Sequence, residues 1–435
     1  MSHVGIIGAG WAGLSAAVIA MERGHRVTIW EAQRRPGGRA RTQARKASHD
    51  GPARDNGQHL LISAYSGVAD MLARIGVRRE DVLLEAPLDL RDRHGHGLVL
   101  PKAPGHLGVT LPLARAVLRA RGWSWGDKLS LARWAWRVQG ETPSPDARVS
   151  ALLDGLPAKL REEVMAPLCI SALNLPPEQA SAALFHRVLR DSLWASPKHW
   201  RAWLPKVPLG EVFAEPAAQW LSERGAQWHW GERVRELRLS AEGIRVQSAV
   251  TVDQLVLATP AWVAADLVKS LPHSQAHTWA ATAAALQHTA IATVYAHAPG
   301  LRLPRPMLAL PSRHTWDAQF VFDAGRLGHP CGHLAAVLSH APKDGQGLKA
   351  HVQAQLRDAL GDPSLCVQQV VLEKRATFAA SPGVLRPPAL VCPKIWACGD
   401  HVQGPYPATL EGAVRSAMAL PWDSLSAEAS DRPPA

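Results

Sequence analysis

The chain opens on a short apolar run, His3 to Ile7, without alternation and too short for a helix. Such a run reads as a strand buried on both faces. Trp11 to Arg23 is a second apolar stretch, rich in alanine and stopped by Gly24, and reads as a helix. Arg26 to Trp30 predicts the next strand, ending at Glu31. From about Leu100 to Glu223 the spacing is helical. Arg233–Leu239, Ile244–Val250 and Leu255–Thr259 predict strands. Between 280 and 385, Ala-rich helix mixes with strand-like pieces such as Ala290–Ala296 and Leu334–Leu338. Lys394–Leu420 reads as strand, loop, helix, and the polar tail from Ser424 is expected to fray.

Glycines punctuate the first strand-to-helix turn at Gly8-Ala9-Gly10-Trp11-Ala12-Gly13. No basic residue precedes this stretch, so a βαβ opening is expected rather than a targeting segment. In a G-x-G-x-x-G turn the first glycine allows the tight bend. The second lets a diphosphate approach the backbone, and the third lets helix and strand pack closely. Glu31, 18 residues past Gly13 at the end of the second strand, is placed to accept hydrogen bonds from a ribose. A dinucleotide site is therefore predicted.

Composition narrows the class. At 435 residues, 47% hydrophobic and 20% charged, the chain can bury a sizeable core in two or three domains. No purely apolar run reaches the roughly 18 residues of a membrane span. Ser270 to Leu301, free of Asp, Glu, Lys and Arg, is broken by histidines and prolines. Five cysteines without paired spacing argue for a reducing compartment and against structural zinc or a disulfide framework. The net charge of +11 is scattered rather than gathered in a tail, and nucleic acid is not expected as a partner. Tryptophan is over-used, 17 against 5 Phe and 3 Tyr. In Leu111–Val138, Arg115, Arg119, Arg121, Lys128, Arg133 and Arg137 stand beside Trp123, Trp125, Trp134 and Trp136. That mixture fits an anionic membrane surface.

Other constellations fail on context. Gly122-Trp123-Ser124-Trp125-Gly126 has the nucleophile-elbow spacing, but the Arg-punctuated stretch before it is helical where the motif needs a strand. His94-x-His96 and His329-x3-His333 lack a carboxylate partner, and no metal site is expected. No second G-x-G-x-x-G occurs, so electrons are expected from an external donor rather than a dedicated nicotinamide domain.

Arg34-Arg35-Pro36-Gly37-Gly38-Arg39 resembles the extension that follows the ribose carboxylate in FAD enzymes of the glutathione-reductase and amine-oxidase type. Ile395-Trp396-Ala397-Cys398-Gly399-Asp400 with Tyr406-Pro407-Ala408-Thr409-Leu410-Glu411-Gly412-Ala413 resembles their closing flavin segment. With Asp55-Asn56-Gly57-Gln58-His59 and Gly231-Glu232-Arg233-Val234, the chain over most of its length resembles the hydroxysqualene dehydroxylase family. These are squalene-associated FAD oxidoreductases, related to phytoene desaturases within the flavin amine-oxidase superfamily. The resemblance implies an α/β fold: a Rossmann-like FAD-binding domain of the glutathione-reductase type with an inserted α+β substrate domain. The FAD-binding parts would be 1–90, 204–268 and 391–421, with a helical membrane-facing part at 91–203, a substrate domain at 269–390 and a flexible tail at 422–435.

It further implies non-covalent FAD held by Gly8, Ala9, Gly10, Ala12, Gly13, Glu31, Ala32, Gly38, Arg39, Gly57, Gln58, Val234, Gly399, Asp400, Thr409, Leu410, Glu411 and Ala413. Asp55 and His59 become the candidate proton donors, Asp55 on condition that a dry pocket raises its pKa. The implied reaction reduces hydroxysqualene to squalene, in a cytoplasmic protein peripheral on the inner face of the membrane. Carotenoid desaturation and amine or protoporphyrinogen oxidation are the alternatives within the same fold.

Overall fold

The computed structural model describes residues 2–43, 52–101, 108–247, 250–311, 314 and 317–423. Its central sheet has six strands, in the order Leu390–Cys392, Ile395–Ala397, Gln254–Leu257, β1 (His3–Ile7), β2 (Arg26–Glu31) and Gln227–Trp230. All neighbours run parallel except Leu390–Cys392, which turns back against Ile395–Ala397. β1 is buried at every position, as a parallel strand covered on both faces must be. The crossover helix α1 (Trp11–Glu22) is buried from Trp11 through Ala20, so it is apolar all round rather than amphipathic. It packs against the helices Glu215–Glu223 and Leu410–Met418. A Cβ at Gly13 would lie 1.9 Å from the Gly8 carbonyl oxygen, so this glycine sets how closely α1 approaches the strand before it.

A second layer is antiparallel, in the order Met307–Ala309, Phe320–Asp323, His333–Ala341, His288–His297 and Cys366–Phe378. The amphipathic helix Leu348–Leu360 covers it, burying Leu348, Val352, Leu356 and Leu360. Helices between Thr110 and Trp194 form a third body around Trp134, Leu160 and Phe185. Ser124, the centre of the apparent nucleophile elbow, caps the helix Trp125–Gly140 in a reciprocal box with Asp127.

Several expected boundaries shift. Within the stretch expected to be helical, Arg201–Pro205 is a strand pairing with Leu61–Ile62 and Leu83–Pro87, so it crosses the expected 203/204 boundary. Leu390–Cys392 likewise crosses the one at 390/391. The helix Ser274–Ala284, assigned by sequence to the substrate domain, buries Ala276, Trp279 and Ala283 against Leu255, Leu257 and Ile395 of the central sheet. Trp422, placed by sequence in the tail, is buried and donates its indole N–H to the Ala417 carbonyl at 2.9 Å. The remainder of the expected tail, from 424 on, lies outside the described residues. The outer parallel strand is Gln227–Trp230, and the strands expected at 233–239 and 244–250 form a small antiparallel sheet of Leu237–Ser240, Gly243–Val246 and Val250–Val252.

Candidate active site

One cavity of about 1270 Å³ runs from the C-terminal ends of β1 and β2 into the helical body. Single ligand pockets usually hold about 300–1,000 Å³, so this one has room for more than one guest. Its polar stretch is lined by Gly8, Gly10, Ala12, Glu31, Ala32, Gly38, Arg39, Val234, Gly399 and Asp400, all named from sequence. Gly57, Gln58, His59, Thr409, Leu410, Glu411 and Ala413 line it too, whereas Ala9, Gly13 and Asp55 do not.

The polar stretch fits a dinucleotide. Gly10 has ordinary extended dihedrals, and a Cβ there would meet nothing nearer than the Gly38 Cα at 3.9 Å. Neither backbone nor packing demands a glycine, so the free space belongs to a guest. Gly10 begins α1 with no side-chain cap and no acidic residue in the first turn, leaving the helix N-terminus open to an anion. Glu31 accepts from the Ala9 N–H at 2.7 Å and the Gln33 N–H at 2.8 Å, which orients it with acceptor capacity to spare for a ribose. Two cavity residues, Trp11 and His401, carry buried ring nitrogens (Nε1 and Nε2) that find no partner among the described residues.

Farther along, Arg39 pairs with Asp400 and donates to the Ala376 carbonyl at 2.6 Å. Burial opposes ionisation of Asp400, but the Arg39 guanidinium outweighs it and holds the carboxyl below its ordinary value. Gly399 N–H donates to Ser416 Oγ at 2.7 Å, and Thr409 caps the helix Leu410–Met418 through the Gly412 N–H at 3.0 Å. Glu411 has its carboxylate engaged elsewhere. It accepts from the Gly67 and Val68 N–H groups at 2.9 and 3.0 Å, capping the helix Ser66–Arg74, and pairs with Arg415.

The two candidate acids separate. Asp55 stands outside the large cavity. Its Oδ1 accepts from the Thr42 hydroxyl at 2.7 Å and the Leu209 N–H at 3.0 Å. Its backbone exchanges bonds with the Tyr295 hydroxyl. Burial pushes its carboxyl up to about 6, against the pull of those two donors. The raised pKa that the sequence reading required is present, on a group that ties loops together. His59 does line the cavity, with its Nδ1 2.8 Å from the Gly57 carbonyl oxygen. Only Nδ1–H can donate to a carbonyl, so Nε2 carries the lone pair, and burial lowers the pKa and keeps the ring neutral. At neutral pH His59 is an acceptor rather than a store of protons.

Beyond this stretch the walls turn apolar, with Leu60, Ile62, Leu100, Leu113, Val117, Leu168, Leu189 and Phe322. Sequence reading did not single out Asp191 or Arg375, which line the cavity, and it gave Tyr406 no part in the reaction. Asp191 lies on a π-helical turn (Arg190–Trp194) and Arg375 on a long sheet strand, and no local motif marks either.

Three substitutions test these contacts. Gly13→Ala must force backbone apart and should cost about 1–3 kcal/mol or more in urea melts. Gly10→Ala should melt with the parent, yet bind the dinucleotide at least about tenfold more weakly in equilibrium dialysis. For Asp55, a raised native pKa contributes stability that is present below 3.8 and lost as pH rises through about 6. Asp55→Asn should flatten that slope in urea melts at stepped pH. It should also match or exceed the parent above neutral pH and keep turnover within about threefold.

The profile of the family described as flavin containing amine oxidoreductase matches residues 11–419. The chain is 30% identical to a hydroxysqualene dehydroxylase of Rhodopseudomonas palustris, over 95% of this chain and 96% of that one. It is 28% identical to another from Zymomonas mobilis, over 96% and 97%. Among solved structures it is similar to an oxidoreductase from Methanosarcina mazei, with a TM-score of 0.73 at 15% identity, covering 96% of this chain and 99% of that one. A putative protoporphyrinogen oxidase from Exiguobacterium has a TM-score of 0.67 at 17% identity, covering 98% and 99%. Matched along nearly its whole length, the chain belongs to the flavin containing amine oxidoreductase family and is an FAD-dependent oxidoreductase.

Proposed function

We propose that the chain reduces hydroxysqualene, a long allylic alcohol, to squalene, using FAD that an external donor has reduced. The observation that carries this reading is a single cavity joining a dinucleotide-shaped polar stretch to a long apolar chamber. Its full-length relatives named hydroxysqualene dehydroxylase support it. An amine substrate is disfavoured: of the 3 tyrosines, Tyr295 is bound to Asp55 outside the cavity, and Tyr406 has two guanidiniums against its ring, which repel an ammonium.

On this reading the FAD domain is of the glutathione-reductase type. The α1 N-terminus at Gly10 holds the diphosphate, Glu31 the ribose, Val234 the adenine, and Arg39 with Asp400 the flavin side. The N-terminus of the helix beginning at Leu410, which lines the cavity, would face the flavin ring. FAD is bound non-covalently. Cys398, beside Gly399, is buried with its thiol pushed up to about 12, which leaves it unreactive. Bound and reduced, FAD would supply the hydride for the carbon that loses its hydroxyl. The apolar chamber excludes water from that carbon, and His59 orients a hydroxyl as its acceptor. Mixing photoreduced, anaerobic enzyme with hydroxysqualene should restore the oxidised-flavin absorption and yield squalene. A restored spectrum without squalene, or no reoxidation, would count against the reading.

We also propose that the protein works as a peripheral protein on the inner, cytoplasmic face of the membrane. Leu111, Leu118, Trp125, Leu129 and Trp136 are 51–83% exposed, five of the eight large exposed hydrophobics among the described residues. All lie on the helices Thr110–Arg119 and Trp125–Gly140, and Leu118, Trp125, Leu129 and Trp136 also line the cavity. Exposed Arg115, Arg119, Arg133 and Arg137 flank them, each worth roughly 1 kcal/mol near an anionic surface. Among the described residues no helix is long and apolar enough to cross a membrane. The parent should co-sediment with anionic vesicles at low salt and less with neutral ones. Trp125→Ser with Trp136→Ser should abolish retention while leaving the melting temperature unchanged. Equal recovery from both vesicle types would remove this assignment.

A further inference from the structure

We infer that Tyr406 is the group that protonates the departing hydroxyl, an inference that rests on the proposed alcohol reduction. Loss of that hydroxyl as water needs a proton donor on the cavity wall, and the ionisable groups there are mostly spoken for. Asp400 is paired with Arg39, Asp191 with Arg187 at 2.7 Å, and Glu411 with Arg415 and two helix N–H groups. Glu31 accepts from two backbone N–H groups, Glu373 from Asn56 at 3.1 Å and Glu232 from Gln247 at 3.3 Å with His229 against its other oxygen, while Lys128 donates to the Leu118 carbonyl at 2.8 Å. The imidazoles of His59 and His401 are both held neutral by burial, His401 down to about 4. What remains able to give up an O–H is a phenol.

Two phenols line the cavity, and they differ in their hydrogen bonding. Tyr65 lies near the Glu411 carboxylate, and burial together with that charge raises its pKa, which opposes loss of its proton. Tyr406 stands beside two ion pairs, Arg187–Asp191 and Arg415–Glu411, with the guanidiniums nearest to it. Arg187 Nη2 donates to its phenol oxygen at 3.4 Å, and the Arg187 and Arg415 guanidiniums stand 5.0 and 5.4 Å from its ring centroid. Because the phenol oxygen accepts from Arg187, its own O–H is free to donate, and among the described residues no acceptor takes it. The Arg187 N–H that the phenol oxygen accepts is in place to stay on that oxygen as its own proton leaves.

The residue is also held in place. Arg386 Nη1 donates to its carbonyl at 2.8 Å, and its Cβ would lie 3.4 Å from a Cβ on Gly412, in the first turn of the helix Leu410–Met418. The Arg187–Asp191 pair bridges the helix Ala182–Leu189 and the π-helical turn that follows it, which fixes Arg187 over the phenol.

The step balances as follows. The phenol O–H bond breaks, its proton joins the substrate hydroxyl oxygen, and the C–O bond breaks with its electron pair leaving on water. The carbon takes up the hydride that bound, reduced FAD would supply, and solvent returns a proton to the phenolate.

The test uses photoreduced holoenzyme and two substrates, the allylic alcohol and the matching allylic chloride, whose leaving group needs no proton. FAD content and melting temperature of Tyr406→Phe and Tyr65→Phe are measured first and should match the parent, since phenylalanine keeps the ring packing. Tyr406→Phe should slow flavin reoxidation by the alcohol about 10²–10⁴-fold, yet react with the chloride within about threefold of the parent. Tyr65→Phe should stay near the parent with both. A Tyr406→Phe variant within about threefold of the parent on the alcohol, or slowed equally on both substrates, overturns the assignment. A parent that leaves the alcohol unreacted instead overturns the proposed function, which separates the two failures.

Discussion

The Arg39–Asp400 ion pair joins the opening of the chain to its close and holds both against one cavity. Asp400 is 7% exposed, so its charge persists in low dielectric only because the guanidinium is beside it. A buried pair of this kind adds little net stability, but removing one partner strands the other. Glu411, from the closing helix, makes a second such tie to the start of the helix Ser66–Arg74. Between these ties the chain makes its long excursion through the helical body and the antiparallel sheet. The excursion lines the far part of the cavity and returns to the dinucleotide stretch at Val234 and, through the Ala376 carbonyl, at Arg39.

The legible parts were those where local chemistry and tertiary position coincide. The strand, glycine turn and helix from His3 to Glu22 follow from packing between immediate neighbours, and the sequence reading placed them to within a residue. Lys394–Leu420, read as strand, loop and helix without inner bounds, holds the strand Ile395–Ala397 and the helix Leu410–Met418. The expectation failed where long-range pairing decides. Arg201–Pro205 is a strand only because Leu83–Pro87 and Leu61–Ile62 lie on either side of it. Trp279 was assigned to the wrong body because an alanine-rich helix carries no mark of the sheet it will cover.

The site divides in the same way. Residues whose role is to let a ligand near the backbone, such as Gly10 and Gly38, are visible as a pattern. Residues whose role depends on a partner far along the chain are not. Asp55 was a candidate acid because its segment resembles one that runs at the flavin face in the superfamily, where a dry pocket would raise its pKa. The structure buries it against Thr42 and Leu209 instead of a substrate. Tyr406 acquires its character from Arg187, a residue 219 positions away, and no spacing rule connects the two.

The size of the cavity carries a consequence for the life of the protein in the cell. A cavity of about 1270 Å³ is apolar and polar surface that the chain cannot cover by itself. A ligand that binds only the folded state stabilises it by mass action, about 2.7 kcal/mol when present at a hundredfold its dissociation constant. That increment is comparable to a sizeable share of the margin by which a typical domain stays folded. Newly made chains that meet no flavin therefore spend longer open to proteolysis. The steady-state amount of this protein then follows the supply of its cofactor as well as the rate of its synthesis.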